Sequence, residues 1–197
     1  ALPISCAFAP PAAAQEAAPC RQALALGLDV SGSVDAREYR LQTDGLADAL
    51  DHPEVRAALL QAPGAPVHLA VSEWSGSGAQ RVLADWTAIT DAGALATLRA
   101  RLRGMARAQM PVDTALGGAK RFGLSLLGRR ADCWKRTLDL SGDGESNAGE
   151  RPEAVAVPPG VTVNGLVIGE TSLGPDGPVA LEAYYRARAI AGPGAFV

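Results

Sequence analysis

The stretch Gln22-Ala-Leu-Ala-Leu-Gly-Leu-Asp29-Val-Ser31-Gly-Ser33 decides the fold. Its opening is almost wholly apolar, the pattern of a strand buried on both faces, and such strands lie at the centre of parallel sheets. The run ends at Asp29, and oxygen-bearing side chains then recur at every second position: Asp29, Ser31 and Ser33. In open α/β sheets, ligands bind at the carboxyl ends of the strands. A tight turn at that edge brings these oxygens towards one point, and an all-oxygen donor set suits a hard cation.

Downstream, Asp35 to Leu50 carries Tyr39, Leu46 and Leu50 on one stripe, and Pro53 to Leu60 begins with proline in its first turn, so two helices form the first crossover. Val67–Trp74 and Arg81–Trp86 read as strands joined only by Ser75–Gln80, a link short enough to require an antiparallel hairpin. Asp91 caps a helix with Leu95, Leu98, Leu102 and Met105 on one face; Arg99, Arg103 and Arg107 on the other read as a solvated stripe. A helix over Thr114–Leu127 follows, then a strand from Trp134 to Leu140 with Trp134 in the core, ending in the turn Ser141-Gly-Asp-Gly144. Val161–Ile168 reads as a strand, Val179–Ala191 as a helix and Ala195–Val197 as a strand entered and cut off. The expected fold is α/β: a doubly wound, mostly parallel sheet of order 3-2-1-4-5-6, its third strand antiparallel, with helices on both faces.

Composition bounds the rest. With 197 residues, 48% hydrophobic and 20% charged, the chain suits one globular domain and not a disordered one. A net charge of -3 provides no positive field for nucleic acid. No apolar run approaches the roughly 20 residues of a membrane span. Residues 1–19 are small and apolar, and Ala12-Ala13-Ala14 fits the signal-peptidase rule, so they read as a residual signal peptide and leader of an exported, periplasmic or extracellular protein. Residues 20–197 form the expected domain, read as truncated at its C-terminus.

Thr114, at a helix start, and Asp143, after the next strand, join the first cluster at the same sheet edge. The ordered set Asp29-x-Ser31-x-Ser33, Thr114 and Asp143-Gly144 resembles the metal-ion-dependent adhesion site of von Willebrand factor A-type domains, and the resemblance covers residues 22–197. The phrases CRQALALGLDVSGSVDAREYR and CWKRTLDLSGDG look like a bacterial, exported branch of that family. The resemblance implies that Ser31, Ser33 and Thr114 offer hydroxyls to a Mg²⁺ ion, with Mn²⁺ or Ca²⁺ as alternatives, while Asp29 and Asp143 bind it directly or through water. It also implies a non-enzymatic role, in which a position left open on the cation captures an acidic residue of a protein or peptide partner. Asp113 departs from the family, where glycine often precedes the threonine.

Other readings are weighed against this one. Asp139, Ser141, Asp143, Gly144, Asn147 and Glu150 nearly match an EF-hand loop, but a strand precedes them and Pro152 follows closely. Asp139 lies four strand residues from Asp143, about 13 Å, too far to share an ion, and reads either as a residue supporting the ligands from behind or as one of a buried pair with an unknown partner. A phosphatase using Asp29 as nucleophile has Ser31 where its second aspartate belongs. A hydrolase triad lacks the G-x-S-x-G elbow, and His52 and His68 lie in unrelated segments. A structural module whose metal only orders loops is the other alternative.

Cys6 belongs to the leader, leaving Cys20 and Cys133. Asp29 and Asp143 are to meet at the top of neighbouring parallel strands; counting back similar lengths puts both cysteines at the bottom, where an exported chain forms a disulfide.

Overall fold

Strand β1, Gln22–Asp29, has the two-sided burial its composition implies. Ala23 and Ala25 enter one buried cluster, while Leu24, Leu26 and Leu28 pack into another. A period of two therefore feeds two cores, one on each face of the sheet. The computed structural model describes residues 19–168 and 177–197, so the segment read as leader, with Ala12–Ala14 and Cys6, lies outside the described residues except for Pro19.

Helices α1 (Ala36–Ala49) and α2 (Pro53–Leu60) lead to β2 (Val67–Trp74). Asp35 caps α1 in a capping box: its carboxylate accepts from the amides of Arg37 and Glu38, and Glu38 accepts from the Asp35 amide. Strand β3 (Gln80–Ile89) returns antiparallel to β2 through a turn in which the Ser75 amide donates to the Ala79 carbonyl at 3.1 Å. Helices α3 (Ala92–Arg103) and α4 (Leu116–Gly128), strand β4 (Lys135–Gly142), strand β5 (Val161–Val167) and helix α5 (Gly177–Arg188) complete the described elements. The sheet order is β3-β2-β1-β4-β5, and only the β2–β3 pair is antiparallel. Helices α1 and α3 cover one face, and α4 and α5 the other.

Three expectations need correction. The sheet has five strands among the described residues, and Ala195–Val197 is not a sixth. A Gly192-Pro193-Gly194 turn, with both glycines at positive φ, interrupts the chain there, so that it meets β5 at Ala191 and again through the Gly165 amide, which donates to the Phe196 carbonyl at 3.0 Å. The β4–β5 crossover carries only a short 3₁₀ turn, Pro152–Ala154. Trp134 precedes β4 and is 71% exposed, because it sits at the bottom rim of the sheet beyond the reach of either core.

The arginine stripe is not simply solvated. The Arg99 guanidinium donates to the Ala47 carbonyl at 2.9 Å and pairs with Asp51 at 2.6 Å, with its side chain only 14% exposed. Arg103 pairs with Asp48, and Arg107 donates to the carbonyls of Val30 and Ser31. Long arginine stems cover apolar surface while the guanidinium satisfies carbonyls at the helix end and the turn.

Cys20 and Cys133 are disulfide-bonded, with Cα atoms 4.5 Å apart. They meet at the bottom of β1 and β4, where the Trp134 amide donates to the Cys20 carbonyl at 3.0 Å. The bond closes a separation of 113 residues at the end of the sheet opposite Asp29 and Asp143.

Candidate metal centre

Asp29 ends β1, flanked by Trp74 at the end of β2 and, on the other side, by the last residues of β4. Parallel pairing thus carries Asp29 and Asp143 to one edge, as their equal places after two strands imply. The turn that follows β1 is fixed locally. Asp29 Oδ1 accepts from the Ser31 amide at 2.8 Å, the Val34 amide donates to the Ser31 carbonyl at 3.0 Å, and the Ser31 and Ser33 hydroxyls lie 3.4 Å apart. The turn then enters α1 through the Asp35 cap.

Thr114 reaches the same edge by a different route. The Gly32 amide donates to the Val112 carbonyl at 2.8 Å, and the Ala115 amide donates to the Ser75 carbonyl at 2.9 Å, so the 110–115 loop is pinned to the ends of β1 and β2. The loop after Asp143 closes over it. Asn147 accepts from the Thr114 amide through Oδ1 at 2.8 Å and returns its own amide to the Thr114 carbonyl at 2.9 Å. Ser146 Oγ donates to that carbonyl at 3.2 Å and accepts from the Leu116 amide at 3.2 Å, which caps α4 from a distant segment. With both backbone groups of Thr114 engaged, its hydroxyl is what it offers to the site. The crossing needs Gly117, because a Cβ there would collide with the Glu150 carbonyl.

The five residues form a graded set: Asp29 and Ser31 are buried, Thr114 is 7% exposed, Asp143 is half-buried and Ser33 is exposed. Asp113 points to solvent at the rim. Burial pushes the Asp29 carboxyl up from its ordinary 3.8 to about 7; the amide and hydroxyl of Ser31 pull it down in part, and the nearby Asp143 charge pushes it further up. Asp29 Oδ2 has no hydrogen-bond partner although it is fully enclosed. A buried carboxylate oxygen without a donor is costly, and a cation satisfies it. The five side chains offer only hard oxygens, three of them neutral, a set whose chemistry suits a hard divalent cation better than a thiophilic one.

The EF-hand residues are drawn elsewhere. Glu150 pairs with Arg121, Asn147 serves Thr114, and Asp139 lies within β4, accepting from Asn164 Nδ2 at 2.7 Å. Asn164 is the partner that the buried-pair reading of Asp139 left unknown; burial holds its carboxyl above the ordinary range. His68 lies beside Arg130, with Nδ1 2.5 Å from the guanidinium, remote from this edge.

Several contributors were not foreseen from the sequence: Ser146 and Asn147, Arg107 beneath the Ser31 turn, and Tyr184, which accepts from the Ser146 amide at 3.2 Å. Gly142 and Tyr185 are two more. A Cβ on Gly142 would collide with the Tyr185 hydroxyl and stand 3.1 Å from Asp29 Oδ2. The Asp-Gly spacing of the last motif was visible, but not that the glycine before it leaves room for a tyrosine of α5.

A mostly parallel five-stranded sheet with one antiparallel edge strand, covered by helices on both faces, is the fold of a von Willebrand factor A-type domain. The chain belongs to the family described as "Protein of unknown function (DUF1194)", whose profile matches residues 19–197. Among solved structures it is similar to a von Willebrand factor type A protein from Catenulispora acidiphila, at 15% identity and a TM-score of 0.54, covering 84% of this chain and 37% of that one. It is also similar to proximal thread matrix protein 1 of the mussel byssus, at 17% identity and a TM-score of 0.55, covering 77% of this chain and 38% of that one. Another structure of the mussel protein, with a zinc-occupied MIDAS motif, matches with a TM-score of 0.52 at 17% identity, over 77% of this chain and 37% of that one. This chain thus spans less than two fifths of those proteins. No curated protein matches it.

Proposed function

We propose that Asp29, Ser31, Ser33, Thr114 and Asp143 hold one divalent cation and that the domain, residues 20–197 behind a removed leader, captures a protein or peptide partner through it. The observation that carries this reading is the enclosed, unpartnered Asp29 Oδ2 at an edge where hydroxyls and a second carboxylate gather. Bound there, Mg²⁺, or Mn²⁺ or Ca²⁺ in its place, would supply Lewis-acid attraction for a partner's carboxylate.

The chain's own part is to hold a rigid, oxygen-rich cup. Asp29 provides buried negative charge, the Ser31 amide orients it, and the Asn147 and Ser146 bonds keep Thr114 against the Asp143 loop. Ser33 and Asp143 reach solvent, which leaves the outer side open to a partner. The zinc-occupied MIDAS motif of the mussel protein supports a metal site on this fold. That protein's place in the thread matrix of the mussel byssus, together with the Cys20–Cys133 bond, supports export. Binding rather than turnover is the assigned role.

Capture experiments on the exported fraction of the source cells test the reading. Immobilised protein is expected to retain a partner in Mg²⁺, release it to chelator and lose it on Thr114→Ala. Retention unaffected by chelator and by Thr114→Ala, or metal-dependent turnover of generic phosphate esters, would sink it.

A further inference from the structure

Two buried oxygens without hydrogen-bond partners lie beside Gly142, behind the candidate centre: Asp29 Oδ2 and the hydroxyl of Tyr185. Tyr185 is fully enclosed in the core beneath α5, and Asp29 is 1% exposed. Both lie within contact distance of the same point, the position a Cβ on Gly142 would take. The period-two alternation of β1 explains the meeting. Asp29 shares its sheet face with Ala23 and Ala25, whose small side chains belong to the same core cluster as Tyr185.

A phenylalanine would fill this core volume without bringing a polar atom into it. An enclosed hydroxyl with no partner is costly, so its presence calls for a partner. Tyr185 has one proton to donate, and Asp29 Oδ2 has two lone pairs, so the hydroxyl can take one while the other stays turned to the cation. Oδ1 is already held by the Ser31 amide at 2.8 Å. A second donor on Oδ2 would fix the rotation of the carboxylate and hence the face it turns to the Ser31, Ser33 and Thr114 hydroxyls. Outer partners of this kind orient metal ligands in many sites.

We propose that Tyr185 is a positioning residue of the metal centre: its hydroxyl donates to Asp29 Oδ2, directly or through one buried water, and thereby presents Asp29 to the cation. The inference rests on the proposed metal reading. It ties α5, an element that supplies no ligand, into the cup.

Titration of the full chain with Mg²⁺ by calorimetry, in parent, Thr114→Ala and Tyr185→Phe, tests it. Tyr185→Phe is expected to weaken binding by about 10–100-fold, the usual cost of removing such a partner. A tyrosine band in the near-ultraviolet difference spectrum should accompany Mg²⁺ binding, persist in Tyr39→Phe and vanish in Tyr185→Phe. A purely structural hydroxyl would move thermal stability and leave both readouts alone. Parent-like affinity in Tyr185→Phe, with binding still lost in Thr114→Ala, would overturn this inference while the metal reading stands. So would the absence of any tyrosine band when the parent binds, a result that does not depend on the variant folding. A folded parent that binds no divalent ion would overturn both.

Discussion

Replacing Asp29 by asparagine should stabilise the metal-free protein at pH 8 and abolish its response to Mg²⁺. Burial holds the Asp29 carboxyl at about 7 against an ordinary 3.8, so an ionised Asp29 strains the metal-free fold. At ~1.4 kcal/mol per pH unit, that difference amounts to roughly 4 kcal/mol once the pH is well above 7. The sign follows from proton uptake: between about pH 4 and 7 the folded state holds a proton that the unfolded chain has released. Stability from this carboxyl is therefore complete below about pH 4 and is lost as the pH rises through about 7. Asparagine keeps the shape and an acceptor for the Ser31 amide but carries no charge. Allowing for a weaker bond to that amide, Asp29→Asn should gain about 2–3 kcal/mol at pH 8, or roughly 5–10 °C in Tm for a chain of this size. Urea unfolding in chelator at pH 8, 6 and 4 measures it, and the gap between parent and variant should close towards pH 4. Saturating Mg²⁺ should then raise the parent and leave the variant unmoved. A variant less stable than the parent at pH 8, or a gap that does not change with pH, would refute the assignment of Asp29 as the enclosed, charge-bearing group.

Other perturbations have equally definite outcomes. Reducing the Cys20–Cys133 bond, which closes a separation of 113 residues, should lower stability by up to about 4.7 kcal/mol on the chain-entropy account, seen as a lower urea midpoint in reductant. Gly142→Ala should lose metal affinity and about 1–3 kcal/mol of stability together, since its methyl group would strike the Tyr185 hydroxyl; unchanged calorimetry in that variant would show that the space behind Asp29 is not needed. Asn164→Leu removes the donor to buried Asp139 and should cost about 1–3 kcal/mol at neutral pH, and less in acid, where Asp139 takes up a proton. Circular dichroism melts at pH 7.5 and 5 would reveal that difference.

What could be read beforehand was whatever depends on short-range pattern. The apolar run Gln22–Leu28, the proline opening Pro53–Leu60, the Asp91 cap and the short Ser75–Gln80 link each determine a local structure by themselves, and each is found in the fold. From them the sheet order follows, and with it the meeting of Asp29 with Asp143 at one end and of Cys20 with Cys133 at the other. What escaped is set by long-range packing. Nothing in a helical arginine stripe tells that Arg99 will reach across to Ala47, or Arg107 to the Ser31 turn. Trp134 looked like core because it was read as the first residue of a central strand, yet the strand begins one residue later and leaves it at the rim. Ser146 was not singled out and Asn147 figured only in the rejected EF-hand reading, although their bonds to Thr114 join two of the three site motifs. Tyr185 could have been suspected from the parity of Asp29 with Ala23 and Ala25, but only once α5 was known to cover that face.

The central claim, one divalent cation held by Asp29, Ser31, Ser33, Thr114 and Asp143, is tested most directly by calorimetric titration of Mg²⁺, Mn²⁺ and Ca²⁺ into the parent, Thr114→Ala, Asp143→Ala and Glu150→Ala. One Mg²⁺ or Mn²⁺ per chain is expected, weakened about tenfold or more by Thr114→Ala and Asp143→Ala, since a ligand matters at least as much as its outer partners. Glu150→Ala should bind like the parent, because Glu150 is occupied with Arg121. A preference for Ca²⁺ that disappears in Glu150→Ala and survives Thr114→Ala would contradict the account and return the site to the loop after β4.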